Sequence, residues 1–159
     1  MIYILLRRYD EAISELRSRA DVQPHDFSVE FLLATAYRHK GMKEETAQHY
    51  KRAFTVAGDE KSAAAVRQAV ERGGSRSVEE WLLRRDLEES RKKYVPPIVL
   101  AWDYARLGRK EDTLRALEQA YRQRAPRIAF LQKEPDFDFL HSDQRYRALV
   151  KKIGLVPTH

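Results

Sequence analysis

The apolar positions of this chain recur in one pattern, most regular between Leu32 and Phe54, LLATAYRHKGMKEETAQHYKRAF. An apolar helix ends at Ala36 and Tyr37, Gly41 breaks it, and a second helix carries small or apolar residues at Ala47, Tyr50, Ala53 and Phe54. Spacings of three and four residues put these side chains on one face of each helix. Moved 34 residues towards the N-terminus, the template places Tyr37 on Tyr3, Lys43 on Tyr9, Tyr50 on Leu16 and Gly58 on Pro24. Moved 67 residues forward, it places Tyr37 on Tyr104, Gly41 on Gly108, Tyr50 on Leu117 and Ala53 on Ala120. One two-helix unit is therefore written at least three times. Such a unit cannot bury its own apolar face, so a fixed period in this range predicts an all-α array of stacked helix pairs.

The copies differ along the chain. Residues 1–25 hold a truncated one: Tyr9, Ala12, Ile13, Leu16 and Ala20 keep helical spacing and Pro24 stops the run, but about two turns of the leading helix are missing. That implies a longer array or a partner at this end, with a ragged, solvated first helix as the plain alternative. In residues 26–59, Asp26 or Ser28 is placed to cap a helix running to about Lys40, and Glu30 sits where a first-turn carboxylate suits the helix dipole. Gly41 supplies the left-handed turn, and a helix from about Lys43 to Val56 ends at Ala57-Gly58-Asp59. Residues 60–93 are degenerate: SAAAVRQAVERGG predicts a small-residue helix closed by Gly73-Gly74, and Ser77-Val78-Glu79-Glu80 has capping-box spacing for a helix through Trp81, Leu82 and Leu87. This unit is one residue short, because Gly41 and Gly108 are 67 residues apart.

Pro96-Pro97 open residues 94–126, where a first-turn proline forfeits no helical hydrogen bond, and helices Pro97 to Leu107 and Lys110 to Gln123 follow. Residues 127–159 read as a C-terminal helical cap. They carry an apolar turn with Ile128, Phe130 and Leu131, a compact aromatic stretch from Pro135 to Leu140, and a helix from Gln144 to Ile153. Asp143 caps that helix, with Gly154 and then Pro157 beyond it. No long linker interrupts the chain, so one continuous domain is expected.

Composition narrows the chemistry. With 159 residues and 43% hydrophobic content, the chain can fill a continuous core. Its net charge of +6 is the excess of 30 basic over 24 acidic residues, which reads as densely charged, solvated helix surface. The absence of cysteine removes disulfides and thiol chemistry and fits a reducing compartment. The run from Ile2 to Leu6 is too short for a signal sequence or a membrane span, and Arg7 and Arg8 follow it, so a cytoplasmic protein without membrane association is expected. The histidines His25, His39, His49, His141 and His159 include no pair at metal-binding helical spacing. Asp136 and Asp138 flank Phe137 near a turn, where carboxylates commonly cap helices, and there is no phosphate loop or nucleophile elbow. Neither catalysis nor a cofactor is expected.

Leu33-x-x-x-Tyr37-x-x-x-Gly41, followed by Thr46-Ala47, Tyr50, Ala53-Phe54 and Gly58, resembles a tetratricopeptide repeat. The match returns in Leu100-x-x-x-Tyr104-x-x-x-Gly108, Thr113-Leu114, Leu117 and Ala120-Tyr121, and in Tyr3, Tyr9, Ala12, Leu16 and Pro24, covering roughly the first four-fifths of the chain. Arg7 replaces the turn glycine and Arg19 a small residue. The stretch from Tyr94 to Leu155 is similar to the ends of bacterial tetratricopeptide proteins, often fused to a winged-helix or serine/threonine kinase domain. The resemblance implies a right-handed α-solenoid of antiparallel helix pairs with a C-terminal helical cap, serving as the sensor or docking part of a larger bacterial regulator.

It also implies a concave surface lined by the first helix of every pair. By register with the tyrosines, that face carries Phe31, Leu32, Thr35, Arg38 and His39 in the second unit, Ala65, Ala69 and Arg72 in the third, and Ile98, Val99, Trp102 and Arg106 in the fourth. Trp102 is the best anchor for a peptide side chain, with packing against the cap as its structural alternative. Arg38, Arg72 and Arg106 are spaced 34 apart and would form a basic ladder for acidic side chains or a C-terminal carboxylate. The one-residue deletion sets Arg106 against His39, a rotation of about 100° on a helix, and last-turn cations suit the helix dipole in any protein. Chaperone-binding members hold a carboxylate with asparagines and lysines; this chain has no asparagine, so that activity is not expected. The expected partner is a protein or peptide, acidic if the ladder acts. Alternatives are nucleic-acid contact through Arg84-Arg85, Arg91-Lys92-Lys93 and Lys151-Lys152, which Asp86, Glu88 and Glu89 interrupt, and homodimerisation through the N-terminal end.

Overall fold

Three helix-to-helix connections are closed by one hydrogen-bond pattern. In a computed structural model that describes residues 2–155, the Met42 N–H donates to the Tyr37 carbonyl at 3.0 Å and the Gly41 N–H to the Arg38 carbonyl at 2.9 Å. Gly41 is left-handed, with φ +75°. Together these make a Schellman turn, which supplies donors to the last free carbonyls of a helix as the chain leaves it. The pattern recurs 67 residues later, from Arg109 to Tyr104 and from Gly108 to Ala105, both at 2.9 Å, with Gly108 at φ +69°. It also occurs 34 residues earlier, from Arg8 to Tyr3 at 2.9 Å and from Arg7 to Ile4 at 3.0 Å, with Arg7 at φ +59°.

These turns join α1 (Ile2–Leu5) to α2 (Tyr9–Val22), α3 (Phe27–His39) to α4 (Lys43–Val56), and α6 (Pro97–Arg106) to α7 (Lys110–Arg122). All regular structure among the described residues is helical. The second helices also begin alike. Thr46 and Thr113 are fully buried, and their hydroxyls donate to the carbonyls of Met42 at 2.7 Å and Arg109 at 2.8 Å. Ala12 takes this place in the first copy and is buried as well. Ala53 and Ala120 have no exposed surface, whereas Arg19, their counterpart in the first copy, faces solvent.

The third unit breaks at the expected glycines but lacks the expected cap. α5 spans Glu60–Ser90 as two helices that meet at a kink, where Gly73 (φ −166°, ψ 28°) and Gly74 (φ 61°, ψ −146°) are non-helical. The dihedrals of Gly74 lie where a side chain is strongly disfavoured, so glycine allows a kink in two residues. Ser77 therefore lies inside the resumed helix and forms no capping box, and Glu80 is approached instead by Arg76 at 3.4 Å. Gly74 follows Gly41 by 33 residues and precedes Gly108 by 34, so the missing residue falls before this kink.

The chain divides into two compact units, one ending at Trp81 and one beginning at Leu82. In the first, α1 packs on α2, α2 on α3 and α3 on α4 around Ile13, Leu16, Val29, Leu33 and Tyr37. In the second, α6 packs on α7, and Leu114 and Leu117 share a core with Phe137, Leu140, Tyr146 and Leu149. Those partners come from the 3₁₀ turn Pro135–Leu140 and from α8 (Gln144–Lys152), which follow an earlier 3₁₀ turn, Pro126–Phe130. Asp143 Oδ1 caps α8 by accepting the Arg145 N–H at 2.8 Å, and the Tyr146 hydroxyl donates to the Leu131 carbonyl at 3.1 Å. The C-terminal segment thus covers the α6–α7 pair. Pro157, expected just past the last helix, lies outside the described residues.

The left-handed residues make a stability prediction. Arg7→Gly relieves a side-chain penalty of roughly 1 kcal/mol and raises the urea midpoint of the first unit, whereas Gly41→Ala lowers stability by a similar amount. An added Cβ at Gly41 meets nothing within 4 Å, so that cost is torsional. An unchanged midpoint for Gly41→Ala contradicts this.

Candidate functional site

The expected binding face of the first unit is borne by α3. Asp26 starts this helix, its Oδ1 accepting the N–H groups of Ser28 at 2.7 Å and Val29 at 3.4 Å. Phe31, Leu32, Thr35, Arg38 and His39 are all half-buried. The Phe31 ring stacks on Phe27 at 5.5 Å and meets Tyr50 edge-on at 5.4 Å, while Phe27 meets Phe54 at 5.5 Å and Phe54 meets Trp81 at 5.1 Å. Five rings from α3, α4 and α5 thus form one aromatic run, and edge-on pairs of this kind add roughly 0.5–1.5 kcal/mol each beyond area burial. Leu32 packs on the core, and the Thr35 hydroxyl donates to the Phe31 carbonyl at 2.9 Å.

The cations on this face have partners of their own. Arg38 Nε lies 3.7 Å from the Glu79 carboxylate, which is itself buried, and Arg38 Nη2 donates to His39 Nε2 at 3.1 Å. His39 stacks on Tyr9 with centroids 5.3 Å apart. Arg72, on the first half of α5, is exposed and reaches the Gln68 carbonyl at 3.4 Å. Beneath the face lies a polar chain that periodicity did not reveal. His49 Nδ1 meets Glu30 Oε2 at 2.7 Å, both residues buried; Tyr37 stacks on the imidazole at 5.1 Å, and Arg17 donates to the Tyr37 hydroxyl at 2.5 Å. Glu30 therefore does more than suit a helix dipole: it anchors α4 to α3.

In the second unit Ile98 is a core residue only 6% exposed, and Val99 is half-buried against that core. Trp102 is half-buried too. The Arg127 guanidinium lies 4.6 Å from the indole centroid and is held there by Glu134 at 2.8 Å, so this part of the ring is occupied from within the unit. The indole N–H is buried without a hydrogen-bond partner among the described residues.

Arg106 is drawn inward by carboxylates, with Nη1 2.9 Å from Asp103 Oδ1 and Nε 4.0 Å from Asp136 Oδ2. Asp136 therefore pairs with a buried cation, a role its neighbourhood in the sequence did not suggest. Asp103 is 3% exposed, and its Oδ2 has no donor among the described residues. Burial is the largest influence on it and pushes its pKa up to about 7; Arg106 acts against the rise, and the charge of Asp86 and a hydrogen bond to it add to it. Two carboxyl groups can share such a bond only when one carries a proton. Arg85 stands 2.8 Å from Asp86. The signal in the sequence was the one acid inside the otherwise apolar IVLAWDYA.

Among the described residues no cluster of His, Asp and Glu could hold a metal ion, and no helix is long and apolar enough to cross a membrane. Of the basic clusters, Arg85 pairs with Asp86 and Lys93 with Glu89 at 2.7 Å.

The Asp103 site gives the second unit a pH dependence of defined sign. Between about pH 4 and 7 the folded protein keeps a proton on Asp103 that the unfolded chain has released. Stability from this group is therefore complete at acid pH and falls as pH rises to about 7, by on the order of 2–4 kcal/mol across the window. Asp103→Asn should flatten that slope in urea titrations at pH 5, 6, 7 and 8; an unaltered slope contradicts the assignment. No protein family, no characterised protein and no solved structure matches the chain.

Proposed function

We propose that this protein is a non-catalytic protein-interaction scaffold of tetratricopeptide kind. On this reading its helix pairs stack as a right-handed solenoid, and the first helix of each pair presents its outward face to a partner peptide or protein. The observation that carries the reading is the Schellman turn repeated with the same donors and acceptors at Tyr3, Tyr37 and Tyr104. A unit that repeats its backbone closure three times, and its buried threonine and small residue twice, is suited to stacking, and stacked pairs leave a continuous face open along their length. The cytoplasm as its location, and service as the docking or sensor part of a larger regulator, belong to the same proposal.

The contacts of the expected groove residues refine what would be recognised. Arg38 and Arg106 already face Glu79 and Asp103, so they stiffen the surface more than they offer charge. Phe31, Leu32 and Thr35 on α3, and Val99 on α6, remain half-exposed, and Arg72 is a solvent-facing cation. The partner is accordingly held by apolar contact first, with acidic side chains secondary.

Thr35→Arg on α3 and Val99→Arg on α6 test this, since each places a large cation on an expected groove position. Wild-type protein used as bait in a lysate of its source cells, followed by mass spectrometry and reconstitution with the purified candidate, should retain a defined partner. Each variant should weaken that partner about tenfold, roughly 1.4 kcal/mol, with helical circular dichroism intact. Equal retention by both folded variants, or no partner that reconstitutes, contradicts the proposal.

A further inference from the structure

Helices α7 and α8 of the second unit leave a groove of about 420 Å³ between them. Its size falls within the range of roughly 300–1,000 Å³ common for ligand-holding depressions. The floor is apolar: Leu149 is buried, Tyr121 half-buried, and Ala148 exposed at its edge. The Tyr121 hydroxyl donates to the Lys152 carbonyl at 3.4 Å, which ties one helix to the other and turns the ring's apolar body to the groove.

The charges around this floor are unequal. Arg145 lines the groove, but Glu118 at 2.9 Å and Glu111 at 2.9 Å already neutralise it. Arg122, in the last turn of α7, and Lys152, in the last turn of α8, are exposed and have no carboxylate partner among the described residues. A cation in a last turn suits its own helix dipole. Two such cations bordering one apolar depression have a second consequence, a site with uncompensated positive charge beside an apolar floor.

We propose that this groove docks an acidic, amphipathic segment of a partner protein. An aliphatic side chain of the segment lies over Tyr121 and Leu149, and its carboxylates meet Arg122 and Lys152. Charge complementarity selects this occupant. A nucleic-acid strand needs a longer row of cations than the two that border this groove. The surface is made by α7 and α8 and stands independently of the face offered by α6.

Fluorescence anisotropy with a labelled peptide of alternating glutamate and leucine tests this on the full chain. A peptide with lysine for glutamate and an oligo-dT strand serve as competitors. Wild-type protein should bind the acidic peptide saturably at about 50 mM salt and more weakly at about 300 mM. The double variant Arg122→Glu, Lys152→Glu should weaken binding at least tenfold, and so should Ala148→Trp, which fills the groove. Arg91→Glu, which reverses an exposed cation elsewhere in the unit, should leave binding within about twofold. Melting curves verify that each variant is folded. Absent binding at low salt, undiminished binding in either groove variant, or displacement by oligo-dT as effective as by unlabelled peptide overturns the proposal.

Discussion

The left-handed residue closing each helix pair is the constraint on which the rest of the structure depends. The last carbonyls of a helix have no donor within it, and leaving such groups buried and unmatched costs about 1–3 kcal/mol each. At Gly41, Gly108 and Arg7 the chain meets this need with two hydrogen bonds as it turns. The apolar faces of neighbouring helices then come together. Thr46 and Thr113 can be buried only because their hydroxyls return to carbonyls at the start of the helices that follow these turns. Ala53 and Ala120 complete the approach by offering no side-chain bulk.

Close helix packing traps charge as well, and the chain answers most of it locally. Glu30 faces His49, Glu79 faces Arg38, and Asp103 faces Arg106, each pair joining different turns or helices of one unit. Deleting one member of such a pair leaves a buried charge unmet, typically a loss of about 3–5 kcal/mol. Asp103 is the exception in kind, because its neighbour Asp86 is another acid and a proton settles the conflict. A candidate binding face can thus be rich in arginine and still present little free charge. Arg122 and Lys152 show the opposite case, modest in number but without a carboxylate partner among the described residues.

Much of the helical order was legible in the sequence, because apolar spacing and glycine position act locally. Tyr37 and Gly41 announced a helix end, and Asp26 and Asp143 announced helix starts, through interactions spanning only a few residues. Arg7 became visible as a turn residue only through its alignment with Gly41, since arginine has no preference for that conformation. In α5 the two glycines announced the break between two helices, whereas Ser77 and Glu80 spelled a cap that does not form, because the second helix has already resumed before Ser77. At the candidate site the exposed positions of α3 followed from periodicity, whereas their ionic partners did not. Glu30 and His49, Arg38 and Glu79, and Asp86 and Asp103 lie far apart in sequence, and only packing brings them together. Trp102 stood out by residue type, but the cation resting on its ring, Arg127, could not be foreseen.

A scaffold reading makes the repeated closure the structural source of function, since a binding face on α3 or α6 is only as well placed as the turn that fixes each helix against its successor. Residue-resolved amide hydrogen exchange measures that closure directly. The Met42 and Arg109 amides, which donate across the left-handed residues, should be protected to the level of the adjoining helices α3 and α6. Exchange at the rate of an open loop, with those helices still protected, would contradict the account.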